Sequence, residues 1–244
     1  MPINISGTTI SGSTISALAT TNIIKRGLML HLDVSSIDSY PGSGTNFYDL
    51  SGNVYNGTLT NGPTYNSGNG GYISFDGTDD YVTMGTATDF ATYTNGFTVD
   101  LWVYPTSASS YSTIFSSAAT TSGGDWQVYI WYNTSSKFGT TQRYSGNQND
   151  FSTTNTFPIN NWYNVVITSN NSTCYIYVNG TSQSSSATGQ INNQPASREV
   201  RLGNFKGYPA QYTGRIASCR VYNRALSSNE ITQNYNIQKS RFGL

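Results

Sequence analysis

From residue 27 onward the chain alternates. Leu28, Leu30, Leu32 and Val34 fall on one side of an extended segment, with Met29, His31 and Asp33 on the other. A period of two marks a strand packed on one face. It recurs between turn residues at about 72–76, 81–84, 97–104, 113–116, 126–132, 163–168, 174–178, 199–203 and 214–222. Asn179-Gly180, after Cys174-Tyr-Ile-Tyr-Val, predicts a tight hairpin, because both central residues of a type I′ turn need positive φ. One helix is expected, where Ser227-Ser-Asn-Glu230 forms a capping box and Ile231, Tyr235 and Gln238 follow at helical spacing. Many short strands without alternating helices predict an all-β domain over residues 27–244, a two-sheet β-sandwich or jelly roll with a short C-terminal helix. Residues 3–16 differ: single isoleucines recur among Ser, Thr and Gly. So little apolar surface builds no core, and residues 1–26 are expected to be an extended N-terminal arm that anchors the chain in an assembly.

Composition sharpens this picture. The 244 residues include 33 Ser, 32 Thr, 26 Asn and 19 Tyr, and only 10% are charged. Good helix formers are scarce, so a mainly helical protein is excluded. Net charge is zero, and no overall field draws the protein to nucleic acid. The signs are unevenly placed: residues 1–125 hold nine Asp against two basic residues, and residues 126–244 hold ten basic against three acidic. Such asymmetry suits either a head-to-tail contact in a homo-oligomer or a fold that interleaves the two halves. No stretch approaches a membrane span, and the amino terminus lacks a signal-peptide pattern, so membrane insertion is not expected and folding in a cytoplasm is. Cys174 and Cys219 alternate in phase with apolar neighbours and are expected to be reduced core residues.

Chemistry is sparse. Glycosidases need two carboxylates about 5–9.5 Å apart, and the only glutamates are Glu199 and the helix-capping Glu230. Asp100, on the strand of Trp102, is the remaining candidate without an evident partner. His31 is the only histidine, no nucleophile elbow accompanies it, and it is expected at a surface or interface. No catalytic residue is assigned. Parity points elsewhere. Strand 97–103 turns Asp100 and Trp102 away from Phe97, Val99, Leu101 and Val103. Strand 127–131 turns Tyr129 and Trp131 away from Val128 and Ile130, and strand 174–178 turns Tyr175 and Tyr177 away from Cys174, Ile176 and Val178. Flat aromatic faces beside short polar groups suit sugar rings. Trp102, Tyr129, Trp131, Tyr175 and Tyr177 are therefore the candidate carbohydrate-binding residues, with packing under loops, the arm or a second subunit as the alternative.

Five segments in order, Tyr72-Ile-Ser-Phe-Asp-Gly-Thr-Asp-Asp-Tyr-Val82, Phe97-Thr-Val-Asp-Leu-Trp-Val-Tyr-Pro105, Asn161-Trp-Tyr-Asn-Val-Val-Ile-Thr168, Tyr175-Ile-Tyr-Val-Asn-Gly180 and Gly214-Arg-Ile-Ala-Ser-Cys-Arg-Val-Tyr-Asn-Arg-Ala-Leu-Ser227, resemble the laminin G-like, concanavalin A-like jelly-roll family. The resemblance implies two antiparallel sheets and a function among glycan binding, adhesion and structural roles. Some relatives hold a structural calcium near the segment that here carries Asp76, Asp79 and Asp80. The further acidic position they use is Ala217 here; no cofactor is expected, with a structural calcium on these three aspartates as the alternative to their capping turns. His31-Leu-Asp33, Tyr40-Pro-Gly-Ser-Gly-Thr45 and the ending Asn234-Tyr-Asn-Ile-Gln-Lys-Ser-Arg-Phe-Gly-Leu244 resemble the form of this domain in tailed-phage structural proteins. They imply a non-enzymatic virion component, capsid decoration or tail fibre, that contacts other virion proteins through residues 1–26 and contributes to host-glycan adhesion. A free-standing lectin module and a glycan hydrolase are the alternatives.

Overall fold

The computed structural model describes residues 22–86, 96–118, 126–144, 147–188, 199–206 and 210–244. Most of the expected arm, residues 1–21, lies outside them. Two eight-stranded antiparallel sheets pack face to face. In chain order the strands are β1 (Leu28–Asp33), β2 (Asn46–Phe47), β3 (Gly57–Thr60), β4 (Thr64–Asn66), β5 (Tyr72–Asp76), β6 (Tyr81–Thr86), β7 (Phe97–Pro105), β8 (Ser112–Ala118), β9 (Trp126–Tyr132), β10 (Phe138–Tyr144), β11 (Asn147–Ser152), β12 (Tyr163–Ser169), β13 (Thr173–Val178), β14 (Thr181–Ala187), β15 (Glu199–Leu202) and β16 (Thr213–Tyr222). Sheet A runs β14-β13-β12-β7-β16-β5-β4, with β1 also on β16, and sheet B runs β11-β10-β9-β8-β15-β6-β3-β2. Every predicted strand is present. Inward residues of both sheets, among them Leu30, Leu32, Phe97, Val99, Leu101, Phe115, Val128, Ile130, Ile176, Cys219 and Val221, form one buried core. Asn179 and Gly180 take φ of 51° and 73° in the predicted hairpin. Both cysteines are buried and unbridged, and burial pushes the Cys174 thiol up to about 12.

The outer face of sheet A is not open. Helix α1 (Ser228–Gln238), started by the expected Ser227/Glu230 capping box, and a 3-10 turn (Lys239–Phe242) lie across it. Beneath them Trp102 stacks between Phe242, at a centroid distance of 4.1 Å, and Tyr235, at 5.8 Å. Tyr72, Trp162 and Ala217 complete this aromatic cluster. Beside it lies a buried polar network. Asp100 pairs with Arg220 at 3.2 Å and accepts from the Asn164 and Asn234 amides. Arg220 also donates to Gln238, whose amide donates to Asp33, and Arg241 reaches Asp33 at 2.7 Å. Two acidic residues of the first half, Asp33 and Asp100, thus pair with two basic residues of the second, Arg241 and Arg220, inside one domain.

Two expectations are corrected here. His31 is no surface residue: it is buried beside Arg220 and Asp33. Desolvation, reinforced by the Arg220 charge, brings its pKa down to about 4. The last residues of the expected arm also join the domain. The Ile24 amide donates to Asn234 Oδ1, the Asn22 carbonyl accepts from Gln233, and the Ile24 side chain packs with Leu28, Tyr222, Leu226 and Ile231.

Candidate functional site

The five candidate aromatics do not converge on one site. Each points away from the core, as parity requires, but they are divided between opposite outer faces of the sandwich. Trp102 is fully buried, because the C-terminal segment supplies a second apolar layer that the strand's own pattern does not reveal. It is withdrawn as a ligand contact. Tyr175 and Tyr177 are half-buried at the other end of the same face, with ring centroids 6.4 Å apart. They line a groove of about 200 Å³ with Thr168, Asn170 and residues 225–228, where the chain turns into α1.

Tyr129 and Trp131 lie on sheet B. Trp131 is only 3% exposed and cannot offer its face to a ligand. Its ring lies over Gly139 on β10, where a Cβ would collide with the indole. Its N–H donates to Thr141 at 3.0 Å, and Tyr111 stands edge-on above it at 4.9 Å. Trp131 is thus the floor of an aromatic surface. The accessible layer is Tyr111, 41% exposed, with half-buried Tyr129 and Phe205. Tyr129 meets Phe205 at 5.4 Å in a T-shaped pair and donates from its phenol to the Tyr111 carbonyl at 3.3 Å. Tyr111 has φ of 58°, a left-handed backbone that costs a bulky side chain of order 1–3 kcal/mol and tends to occur at functional sites. Arg201 flanks this layer, stacked 4.1 Å above the Tyr81 ring. Tyr111, Phe205 and Arg201 were not found by sequence reasoning. Tyr111 and Phe205 sit in connecting segments where no periodicity applies, and Arg201 reads as one polar residue in a short strand.

The glutamates and Asp100 are committed elsewhere. Glu199 pairs with Arg201 and with Lys206 at 3.0 Å; although burial opposes it, these partners hold its pKa below the usual range. Glu230 is held at about 2, chiefly by hydrogen bonding from Arg224, aided by the Ser227 cap. Asp100, sealed under α1, faces neither solvent nor the aromatic surface. Asp76, Asp79 and Asp80 do come together, with ligand oxygens within 4.8 Å of one another. Asp80 Oδ2 accepts from the Asp76 amide and Asp76 Oδ1 from the Thr78 amide, as turn caps. Calcium takes six to eight oxygens; the three carboxylates would supply part of such a set, and residue 217 is a buried alanine.

Comparison with known proteins places this geometry. Residues 76–232 match the laminin G profile described as the concanavalin A-like lectin/glucanases superfamily. Domain 4 of AbnA, a GH43 extracellular arabinanase from Geobacillus stearothermophilus solved with arabinotriose, is similar over 85% of this chain and 98% of its own, at 20% identity and TM-score 0.68. The binding domain of botulinum neurotoxin DC in complex with SialylT is similar over 88% of this chain and 52% of its own, at 17% identity and TM-score 0.67. The sialidase of Trypanosoma rangeli is similar over 88% and 33%, at 16% identity and TM-score 0.63. The chain therefore spans about a half and a third of the latter two. At these identities the likenesses establish the fold. No curated protein matches the chain in sequence. No described helix is long and apolar enough to cross a membrane.

Proposed function

Because the chain belongs to the concanavalin A-like lectin/glucanases superfamily, we propose that it is a non-catalytic glycan-binding module, displayed on a tailed-phage particle as capsid decoration or a fibre component. The observation that carries the binding role is the aromatic surface of Tyr111, Tyr129 and Phe205 on a rigid indole floor. Large rings locked by packing present apolar faces to a sugar at small entropic cost. The non-catalytic part rests on the glutamates. General acid catalysis at a glycosidic oxygen needs a carboxyl group kept protonated near neutral pH opposite an ionised partner. Glu199 is held in the ionised state by Lys206 and Arg201, and Glu230 by Arg224. Glycan-bound domains among the similar structures support the ligand class. The particle location rests on the low-complexity arm and on the resemblance of residues 31–45 and 234–244 to phage structural domains.

A glycan array and isothermal titration test the binding role. Tyr129→Ala should lower affinity for the best array ligand at least tenfold while leaving the melting midpoint within a few degrees. An empty array, or full binding by the variant, refutes it. Labelling intact particles with an antibody fragment against the domain tests the location; binding activity in a protein absent from particles would favour a free-standing lectin. Polysaccharide cleavage that Asp150→Asn abolishes would overturn the non-catalytic assignment. Asp150 opposes Thr141 on sheet B, and burial raises its pKa.

A further inference from the structure

We propose that the groove beside Tyr175 and Tyr177 is a second, separate binding site, one that takes a single neutral pyranose residue. It lies on the outer face of sheet A, on the opposite side of the sandwich from Tyr129, and does not depend on the surface there. Its size comes first. About 200 Å³ is less than the roughly 300–1,000 Å³ of sites that enclose a drug-sized ligand, and leaves room for one ring rather than an oligosaccharide.

The lining sets the chemistry. Tyr175 and Tyr177, two residues apart on β13, present neighbouring ring faces, and Leu226 adds an aliphatic wall. The rim is made of short neutral polar groups. Asn170 turns Oδ1 to the Ser172 and Thr173 amides, which leaves its Nδ2 to donate outward. Ser228 brings a hydroxyl, whereas Thr168 is buried and its hydroxyl is engaged with Thr98 and the Phe97 carbonyl. A ligand with one apolar face and a hydroxylated edge satisfies both sets of groups, and a pyranose ring is such a ligand.

Charge then selects within the sugars. Among the described residues, no ionisable group other than the tyrosine phenols lines the groove. The groove borders the start of α1, and a helix start favours an anion, but that role is already filled by Glu230, whose carboxylate accepts from the Ser227 amide and hydroxyl and pairs with Arg224. A second carboxylate would meet Glu230 without a cation of its own. The site should therefore reject sialic acid while accepting a neutral hexose.

Amide NMR titration of the full chain reads each site by its own residues. The probes are the methyl α-glycosides of glucose, galactose and mannose, N-acetylglucosamine and N-acetylneuraminic acid. At least one neutral probe should shift Asn170, Tyr177 and Ser228 with millimolar affinity, and N-acetylneuraminic acid should shift them at least tenfold less. Tyr175→Ala should weaken the response at least tenfold, and Tyr175→Phe should restore most of it. Shifts confined to Tyr111, Tyr129 and Phe205 would overturn the groove and leave the sheet B surface standing. No groove response to any neutral probe, or an undiminished response in Tyr175→Ala, would also overturn it. So would a response that appears only after residues 1–21 are removed, which would identify the chain's own arm as the occupant.

Discussion

Removing the carboxylate of Asp100 should be among the most damaging single changes in this domain. Asp100 and Arg220 are both fully buried, 3.2 Å apart, on neighbouring strands under α1. Burial works against the Arg220 charge, and Asp100 more than restores it. Asp100→Ala leaves that guanidinium uncompensated, a loss of about 3–5 kcal/mol when one partner of a buried pair is deleted. Asn164 and Asn234 also lose an acceptor, but each keeps a second one, Leu101 O and Tyr222 Oη respectively, so their contribution stays small. A total near ~4 kcal/mol would consume a large part of a typical stability of roughly 5–15 kcal/mol. Replacing both partners, Asp100→Leu with Arg220→Met, removes charge and counter-charge together and should cost well under half as much as Asp100→Ala. Urea unfolding at pH 7, followed by tryptophan fluorescence with Trp102 as a nearby reporter, gives both values if the slope is unchanged. A loss under about 1 kcal/mol for Asp100→Ala, or a double variant that loses the sum of the two singles, would show that the pair is not a buried, coupled unit and that α1 does not seal it.

The remaining predictions are shorter. His31 has its folded pKa lowered to about 4 from 6.5, so the unfolded chain binds the extra proton between those values; stability should be full above pH 6.5 and fall toward pH 4, and His31→Leu should flatten that part of a pH series of midpoints. Burial, helped by Asp76 and Asp79, raises the Asp80 pKa, which makes its ionised form a burden at pH 7. Asp80→Asn should therefore raise the midpoint in chelator, and a lower midpoint would show that the cap to the Asp76 amide needs the full charge. Millimolar calcium should leave the parent midpoint unchanged; a rise of several degrees that Asp80→Asn lacks would reverse this. Trp131→Ala should cost about 3–5 kcal/mol in urea unfolding, as expected for a large buried ring, whereas Tyr111→Gly should be neutral or stabilising, since it relieves a left-handed tyrosine. Deleting residues 1–21 should leave the stability unchanged in urea unfolding, and deleting 1–26 should lower it by about 1–2 kcal/mol for the lost Ile24 burial and its bond to Asn234.

The inward face of the sandwich was legible because burial of alternate residues writes a period of two into the sequence. β7, β9, β12, β13 and β16 carry that period, and each lies where it was expected. β10, β11 and β14, read as Phe-Gly-Thr-Thr-Gln-Arg-Tyr, Asn-Gln-Asn-Asp-Phe-Ser and Thr-Ser-Gln-Ser-Ser-Ser-Ala, carry almost no apolar signal. They form or border the polar edges, where Gln142 and Thr140 point inward in place of hydrocarbon. The outer faces were half legible. Parity correctly turned Trp102, Trp131, Tyr175 and Tyr177 away from the core, but it describes one strand at a time. Whether an outward residue meets solvent depends on distant segments: α1 and Phe242 for Trp102, Tyr111 and Gly139 for Trp131. His31 was misplaced for the same reason, since nothing near it in sequence announces that residues 228–242 will cover it.

That covering also bears on how the two outer faces divide the proposed work. The C-terminal helix and residues 22–26 both lie on sheet A, and the chain joins its remaining amino-terminal residues at Asn22, beside Gln233 of α1. The Tyr111, Tyr129 and Phe205 surface belongs to sheet B, with the whole core between. A domain tethered through its arm would therefore set sheet A toward its support and turn the aromatic surface outward, as adhesion requires. The buried polar network has a place in this arrangement. Asp33, Asp100, Arg220 and Arg241 fix the terminal segment by directional contacts at defined positions, where an all-apolar contact would allow sliding. A tether that pulls on residues 22–26 loads α1 through Asn234 and Gln233, and Asn234 passes that load to Asp100 and Tyr222 in the central strands.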